Sequence, residues 1–299
     1  MKTAVIEPPA LPIERGWTMA DLAQLVKARL TFLVLITTAV GFYVGWQGPM
    51  DYMALLHAIF GTALAAGGAA ALNQWWEHKY DALMVRTRAR PIPGGRMTVR
   101  EGLTVGVLLG SAGVVYLAII VNLISAMLAA ATIAIYLFAY TPLKRITVAN
   151  TLVGAVPGAL PPLIGWAAAR NDLVLPAWTL FAILFFWQLP HFFAIGWIYR
   201  EDYLRGGFVM LSGEDLAGAR TGRQSVLFPL LLLVASLTPV WLGIARLVYL
   251  PIALSLGAIF LLLAFRFQIQ RTPSSARQLF FGSIIYLPLL LGALVLVKR

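Results

Sequence analysis

The chain has 299 residues, 60% of them hydrophobic, no cysteine, and a formal charge of +11. Its apolar runs exceed what a soluble core of this size needs and are apolar all round, which points to a polytopic helical membrane protein and excludes the alternating strands of a membrane barrel. The missing cysteine excludes disulfides, thiolate metal sites and a cysteine nucleophile, and the positive charge lies in short segments with no uninterrupted basic face for nucleic acid.

Residues 1–25 hold three prolines, mixed charge and no apolar signal core, so they read as a cytoplasmic N-terminal segment, and the first span must act as the membrane signal. Residues 26–299 read as a single all-α domain of nine spans near 30–47, 54–75, 103–121, 123–140, 150–168, 175–196, 226–245, 249–265 and 279–297, each close to the ~20 residues a bilayer requires. With the N-terminus inside, the cytoplasmic segments carry 19 of the 23 Lys and Arg, leaving only Arg170, Arg246, Lys298 and Arg299 elsewhere, and that asymmetry sets the orientation. The external connections are short, whereas two long cytoplasmic loops, about 76–102 and 197–225, lie four spans apart. This spacing suggests a duplicated four-helix unit with a ninth helix added, the two loops facing each other over one cavity. No acid sits at a span centre, which weakens a pump or carrier reading, since ion pathways need ionisable groups in mid-membrane.

The stretch "NQWWEHKYDALMVRTRARP" closes the second apolar run and places Asn73, Glu77 and Asp81 four residues apart. That spacing aligns them on one helix face, with about 40° of rotation and about 6 Å of rise per step. One account pairs Asn73 with a neighbouring helix and the acids with nearby arginines. The other has the three oxygens hold one or two Mg2+ ions, which keep several waters and bind through a few carboxylates plus substrate phosphates. Arg86 and Arg90, also four apart, suit a bidentate grip on phosphate oxygens, or else serve as inside charge against anionic lipid. No GxxxxGK(S/T) occurs, so phosphate would be held without a P-loop, as fits a diphosphate-bearing lipid.

In "YTPLKRITVAN", Lys144 and Arg145 lie in a cytoplasmic loop flanked by Tyr140 and Asn150. They are either a solvated inside pair or, in the sharper reading, cations over the diphosphate, Lys144 aiding departure of the leaving group. In "WQLPHFFAIGWIYREDYLRGG", continuous helix would put His191 and Asp202 on one face within about 20° and turn Glu201 about 100° away. Asp202 is then a second metal-side acid. His191 is a hydrogen-bonded core histidine, a proton-transfer group or a contact to a substrate carboxylate. Trp75, Trp76, Trp187, Phe192, Phe193 and Trp197 cluster near the same membrane face as an aromatic belt, from which one or two rings could stabilise a carbocation. His57, at the external end, and His78, on another helix face and solvated, are set aside.

These blocks carry a resemblance. "NQWWEHKYDALMVRTRARPIPGG", with Asn73, Glu77, Asp81, Met84, Arg86, Thr87, Arg90 and Pro91 in place, "YTPLKRITVANTLVGAVPGALPPLIGW" and "WQLPHFFAIGWIYREDYLRGG" are similar to three successive blocks of the haem-farnesylating (protohaem IX farnesyltransferase, haem O synthase) branch of the UbiA-type intramembrane prenyltransferase superfamily. The resemblance implies a nine-helix bundle with a central cavity, open laterally to lipid and capped by cytoplasmic loops. It implies transfer of farnesyl from farnesyl diphosphate to a vinyl group of haem b, which is substrate and not cofactor. Mg2+ would be held by Asn73, Glu77, Asp81 and Asp202, and the diphosphate by Arg86, Arg90, Lys144 and Arg145. Asp81, Asp202, Lys144 and His191 would be the catalytic groups, with Trp76, Tyr140, Asn150 and Tyr199 lining the pocket. Two departures stand out: the sixth-to-seventh loop offers His191, Tyr199, Glu201 and Asp202 instead of a second Asp-rich motif, and "FVML" follows "DYLRGG" where a proline is expected before the methionine.

Lipid bilayer and a downstream haem-modifying enzyme are the expected partners, with no nucleic acid. The lack of an Arg- and Ser-rich presequence favours a bacterial inner membrane. The competing readings are a prenyltransferase for a quinone precursor or chlorophyllide, and a haem or lipid transporter.

Overall fold

The computed structural model describes residues 16–299, so most of the N-terminal segment 1–25 lies outside the described residues. Its last part is helical. Thr18 and Asp21 form a capping box, each satisfying the other's backbone, and start α1 (Met19–Leu25). The chain then turns at Lys27, a non-glycine residue with φ 49°, into the first of the nine helices that, among the described residues, are long and apolar enough to cross a membrane. These are α2 (Ala28–Gly45), α3 (Tyr52–Asp81), α4 (Val99–Val121), α5 (Leu123–Leu143), α6 (Asn150–Arg170) and α7 (Leu175–Ile198). Two short helices outside the spans, α8 (Arg200–Arg205) and α9 (Leu211–Glu214), precede α10 (Ala219–Trp241), α11 (Tyr249–Gln270) and α12 (Pro273–Leu296).

The nine expected spans all appear among the described residues, but several helices run past their apolar stretch at one end. α3 ends at Asp81 and not near residue 75, and α12 begins at Pro273 and not near 279. The extensions have local causes. Thr98 caps α4 and Thr272 caps α12, each in a reciprocal box with the residue three positions on, Glu101 and Ser275. In α6 the helix breaks at Leu160, where Pro161 and Pro162 follow and no proline N–H can continue the ladder.

With lipid on the outside there is little hydrophobic gain in helix association, so close approach and packing decide it. A Cβ built on Gly68 would run into the backbone of Gly110, and one on Gly113 into the backbone of Ala65, so α3 and α4 meet at near backbone contact. α2 and α6 meet the same way, Gly41 against Pro162 and Gly165 against Thr38. A larger core joins α7, α10, α11 and α12 around Leu180, Ile183, Leu232, Tyr249, Phe260, Phe267 and Leu290. Bulky apolar residues such as Leu30, Phe32, Ile119, Phe138, Leu262 and Leu296 face outward, where the bilayer would be.

Candidate active site

Because α3 continues to Asp81, Asn73, Glu77 and Asp81 occupy successive turns of one helix face, and all three are buried (1%, 4% and 1% exposed). Burying two carboxylates is costly unless each is paired. Every member of the row is met by a cation from a different part of the chain. Lys27 Nζ donates to Asn73 Oδ1 at 2.8 Å, Lys144 Nζ lies 2.7 Å from Glu77 Oε1, and Arg90 lies 2.6 Å from Asp81 Oδ2. Tyr136 OH also donates to Asn73 Oδ1 at 3.3 Å, while the Asn73 amide donates to Thr141 Oγ1 at 3.1 Å. Asn73 thus bonds a neighbouring helix and Asp81 pairs with a nearby arginine, as the plainer account had it, whereas Glu77 departs from that account by pairing with Lys144. Lys144 and Arg90 balance the two carboxylates, and Lys27, pushed down to about 7 by burial, adds a third basic group whose charge a multiply charged anion would favour.

Lys27, Tyr136 and Thr141 were not singled out in the sequence. Lys27 looked like one more inside charge before the first span. Tyr136 and Tyr140 sit in a π-helical stretch, Ile135–Tyr140, within α5, a wide turn that tends to mark functional positions. Their rings stack at 5.4 Å, and Lys144 Nζ lies 4.4 Å from the Tyr140 ring centre. Tyr140 thus lies beside the Lys144–Glu77 pair.

The loop after α3 folds back on it. Thr87 Oγ1 donates to the Asp81 carbonyl at 2.9 Å, and Met84 and Thr87 are buried while Arg86 and Arg88 point outward. Arg86 lies 5.5 Å from each of the Tyr199 and Tyr203 ring centres. Arg145 is exposed, its guanidinium 4.1 Å from the Tyr80 ring centre. At the expected proline position, Val209 donates its N–H to the Lys144 carbonyl at 2.7 Å, a bond proline cannot make. Asn150 donates to the Val209 carbonyl at 2.7 Å, so its amide holds the loop and does not line a pocket.

Four expectations are corrected. The shared face of His191 and Asp202 fails because α7 ends at Ile198 and Tyr199 breaks the helix before α8. His191 Nδ1 instead lies 2.7 Å from Ser283 Oγ on α12, its ring stacked against Trp187 and Phe280. Ser283 Oγ also lies within hydrogen-bond reach of the Phe280 carbonyl, at 2.5 Å. Asp202 does not join Glu77 and Asp81 in one cage: among the described residues no three His, Cys, Asp or Glu groups could hold a metal ion. Its oxygens accept from the N–H groups of Val85 (2.9 Å) and Arg86 (3.1 Å) and from Arg205 (2.9 Å). Trp76 is exposed and packs edge-on against exposed Phe138, which places it on the lipid side. His78 is half-buried, its Nδ1 2.6 Å from the Trp75 carbonyl, and not simply solvated. His57 meets Tyr116 OH at the external end, as its dismissal implied.

Outside the spans, burial pushes the Asp202 carboxyl up, but the Val85 and Arg86 amides and Arg205 outweigh it and hold the group below the usual carboxylate range. The donor chemistry of α3 fits magnesium. Two carboxylates and an amide oxygen on one face suit an ion that shares its sphere with water and phosphate, and would not suit one needing a closed protein cage.

Comparison with known proteins agrees with this geometry. Residues 34–285 match the model of the UbiA prenyltransferase family. A protein of Solibacter usitatus named protoheme IX farnesyltransferase is 45% identical over 287 residues, covering 93% of this chain and 98% of that one. The human mitochondrial protoheme IX farnesyltransferase is 40% identical over 278 residues, 93% of this chain and 62% of that protein. Among solved structures, one of digeranylgeranylglyceryl phosphate synthase superposes with a TM-score of 0.79 at 15% identity, covering 93% of this chain and 98% of that one. A UbiA homolog from Archaeoglobus fulgidus bound to GPP and Mg2+ superposes with a TM-score of 0.67 at 12% identity, covering 92% and 99%. A helical membrane bundle with a buried row of paired oxygen groups, matched over most of its length, belongs to the UbiA prenyltransferase family.

Proposed function

We propose that this multi-pass membrane protein transfers a farnesyl group from farnesyl diphosphate to a vinyl group of haem b. The observation that carries the reading is the row Asn73, Glu77 and Asp81, each held by a cation that can turn to a phosphate oxygen. The names of relatives at 40–45% identity select haem as acceptor and farnesyl as donor.

The barrier lies in breaking an allylic C–O bond, so catalysis consists in stabilising the charge that builds on the departing diphosphate. Lys27, Lys144 and Arg90 are placed to do this from three sides, with Arg86 and Arg145 at the cytoplasmic rim. Asn73, Glu77 and Asp81 would hold Mg2+, which supplies Lewis-acid neutralisation of the leaving group when bound. The C–O electron pair leaves with the diphosphate, the vinyl carbon attacks the allylic carbon, and water captures the resulting cation with loss of a proton to give the hydroxyethylfarnesyl side chain. The stacked Tyr136 and Tyr140 rings offer π faces beside the reacting region. In this reading His191 takes up the proton that water releases. The membrane is a bacterial plasma membrane with the N-terminus and this site on the cytoplasmic side, and a haem-modifying enzyme receives the product.

Mass spectrometry of haems extracted from cells with and without the protein tests the reading: a farnesylated haem is expected only with it. Turnover that survives complete chelation of divalent metal would defeat the diphosphate scheme, and a prenylated quinone precursor in place of haem would reassign the acceptor.

A further inference from the structure

The block "YREDY" does not place a second pair of carboxylates over the site. Glu201 is exposed, and Asp202, 6% exposed, turns toward the loop that follows α3. We propose that Asp202 is a positioning residue that aims the arginines of the 82–98 loop by gripping its backbone, and not a metal ligand. The inference rests on the reading that Arg86 and Arg90 meet the diphosphate.

The geometry is a pincer. One carboxylate oxygen accepts the Val85 N–H at 2.9 Å and an Arg205 N–H at 2.9 Å, and the other accepts the Arg86 N–H at 3.1 Å. For two successive amides to reach one carboxylate they must point the same way, which restricts the backbone on either side of Val85. The Val85 N–H and Arg205 already fill both lone pairs of one oxygen, so a metal bound across both oxygens would displace a donor, an unfavourable exchange in a buried place. The same short helix holds the side chain of residue 86 as well, since its guanidinium lies 5.5 Å from the Tyr199 and Tyr203 ring centres and 3.4 Å from Tyr203 OH. At its other end the loop is tied to α3 through Arg90 and Thr87 on Asp81. The two long cytoplasmic loops are therefore joined, with Asp81 and Asp202 as the two fixed points and Arg86 carried between them.

Hydrogen exchange on the full-length protein in nanodiscs, without metal or substrate, tests the pincer directly. In the wild type the Val85 and Arg86 amides should exchange slowly. In Asp202→Asn, which replaces one acceptor oxygen with a donor, exchange over 83–88 should rise at least tenfold while α3 stays protected. Steady-state rates should then show KM for farnesyl diphosphate raised about tenfold or more, with the Mg2+ concentration for half-maximal rate within twofold of wild type, unlike Asp81→Asn. Adding Asp202→Asn to Arg86→Ala should cost less than a further twofold, because the two act on one element. Fast exchange at 85–86 in the wild type, unchanged exchange in the variant, or a magnesium midpoint displaced as far as in Asp81→Asn overturns the proposal. If Arg86→Ala alone leaves KM untouched, the diphosphate role of Arg86 fails, while the exchange result still decides the pincer.

Discussion

At the scale of single residues, charge on α3 decides both stability and chemistry, and substitutions can separate the two. Asp81 pairs with Arg90 and accepts from nothing else given by the hydrogen-bond geometry of its side chain. Asp81→Asn keeps its volume and one acceptor, so the protein should still insert and fold while kcat/KM falls by about 10²–10³, the usual loss for one positioned electrostatic group. Near-wild-type turnover would remove Asp81 from the site. Lys27 is the sharper probe, because its partner Asn73 is neutral and keeps Tyr136 as a second donor. Lys27→Met retains the stem and deletes the charge. The melting temperature in detergent should move by only a few degrees or rise, as buried charges contribute little net stability, whereas kcat/KM should drop by about tenfold or more. A large thermal loss with unchanged kinetics would make Lys27 a structural residue.

At the scale of elements, backbone proximity holds the helices that carry the site. α3 bears the Asn73 row, and its packing on α4 sets where that row stands. A Cβ on Gly68 meets the Gly110 backbone, which cannot rotate away, whereas a Cβ on Gly110 lies 3.6 Å from the flexible Ile133 side chain and 3.9 Å from Gly68 Cα. Gly68→Ala should therefore force the helices apart and cost about 1–3 kcal/mol, seen as a lowered melting temperature. Gly110→Ala should be tolerated within about 0.5 kcal/mol. Equal effects from the two would mean that α3 and α4 do not approach as closely as described.

At the scale of the whole molecule, the segments outside the spans are tied by acids whose pKa lies below the unfolded value. Arg96, 2.5 Å from Asp21, together with Thr18 holds that carboxyl down at about 2. Asp202 is lowered as described above. Asp215 is pushed up by burial but lowered on balance by the N–H and hydroxyl of Thr221. A depressed acid contributes stability that is complete above its unfolded value, near about 3.9 for aspartate, and is lost as pH falls through its folded value. Between about pH 4 and pH 2, exchange corrected for intrinsic rate should rise in α1, the 82–98 loop and the α8–α9 region, while the spans stay protected. Uniform loss across the bundle would show that these ties are not the weak points.

Period, length and composition made the nine helices of the described residues and the α3 row readable, because each depends on residues close in sequence or on composition alone. The helix ends were less readable, since capping by Thr98 and Thr272 extends helices beyond the apolar stretches used to find them. What only the tertiary structure decided is pairing. Lys27 reaches Asn73 across 46 residues, Lys144 reaches Glu77 across 67, and Asp202 reaches Val85 across 117. A one-residue break at Tyr199 was enough to send His191 and Asp202 to different neighbours. In a membrane bundle any inside charge has a local excuse in topology, so its sequence position cannot tell whether it faces lipid headgroups or a buried oxygen; only the packing of α3 against α2 and α5 does that.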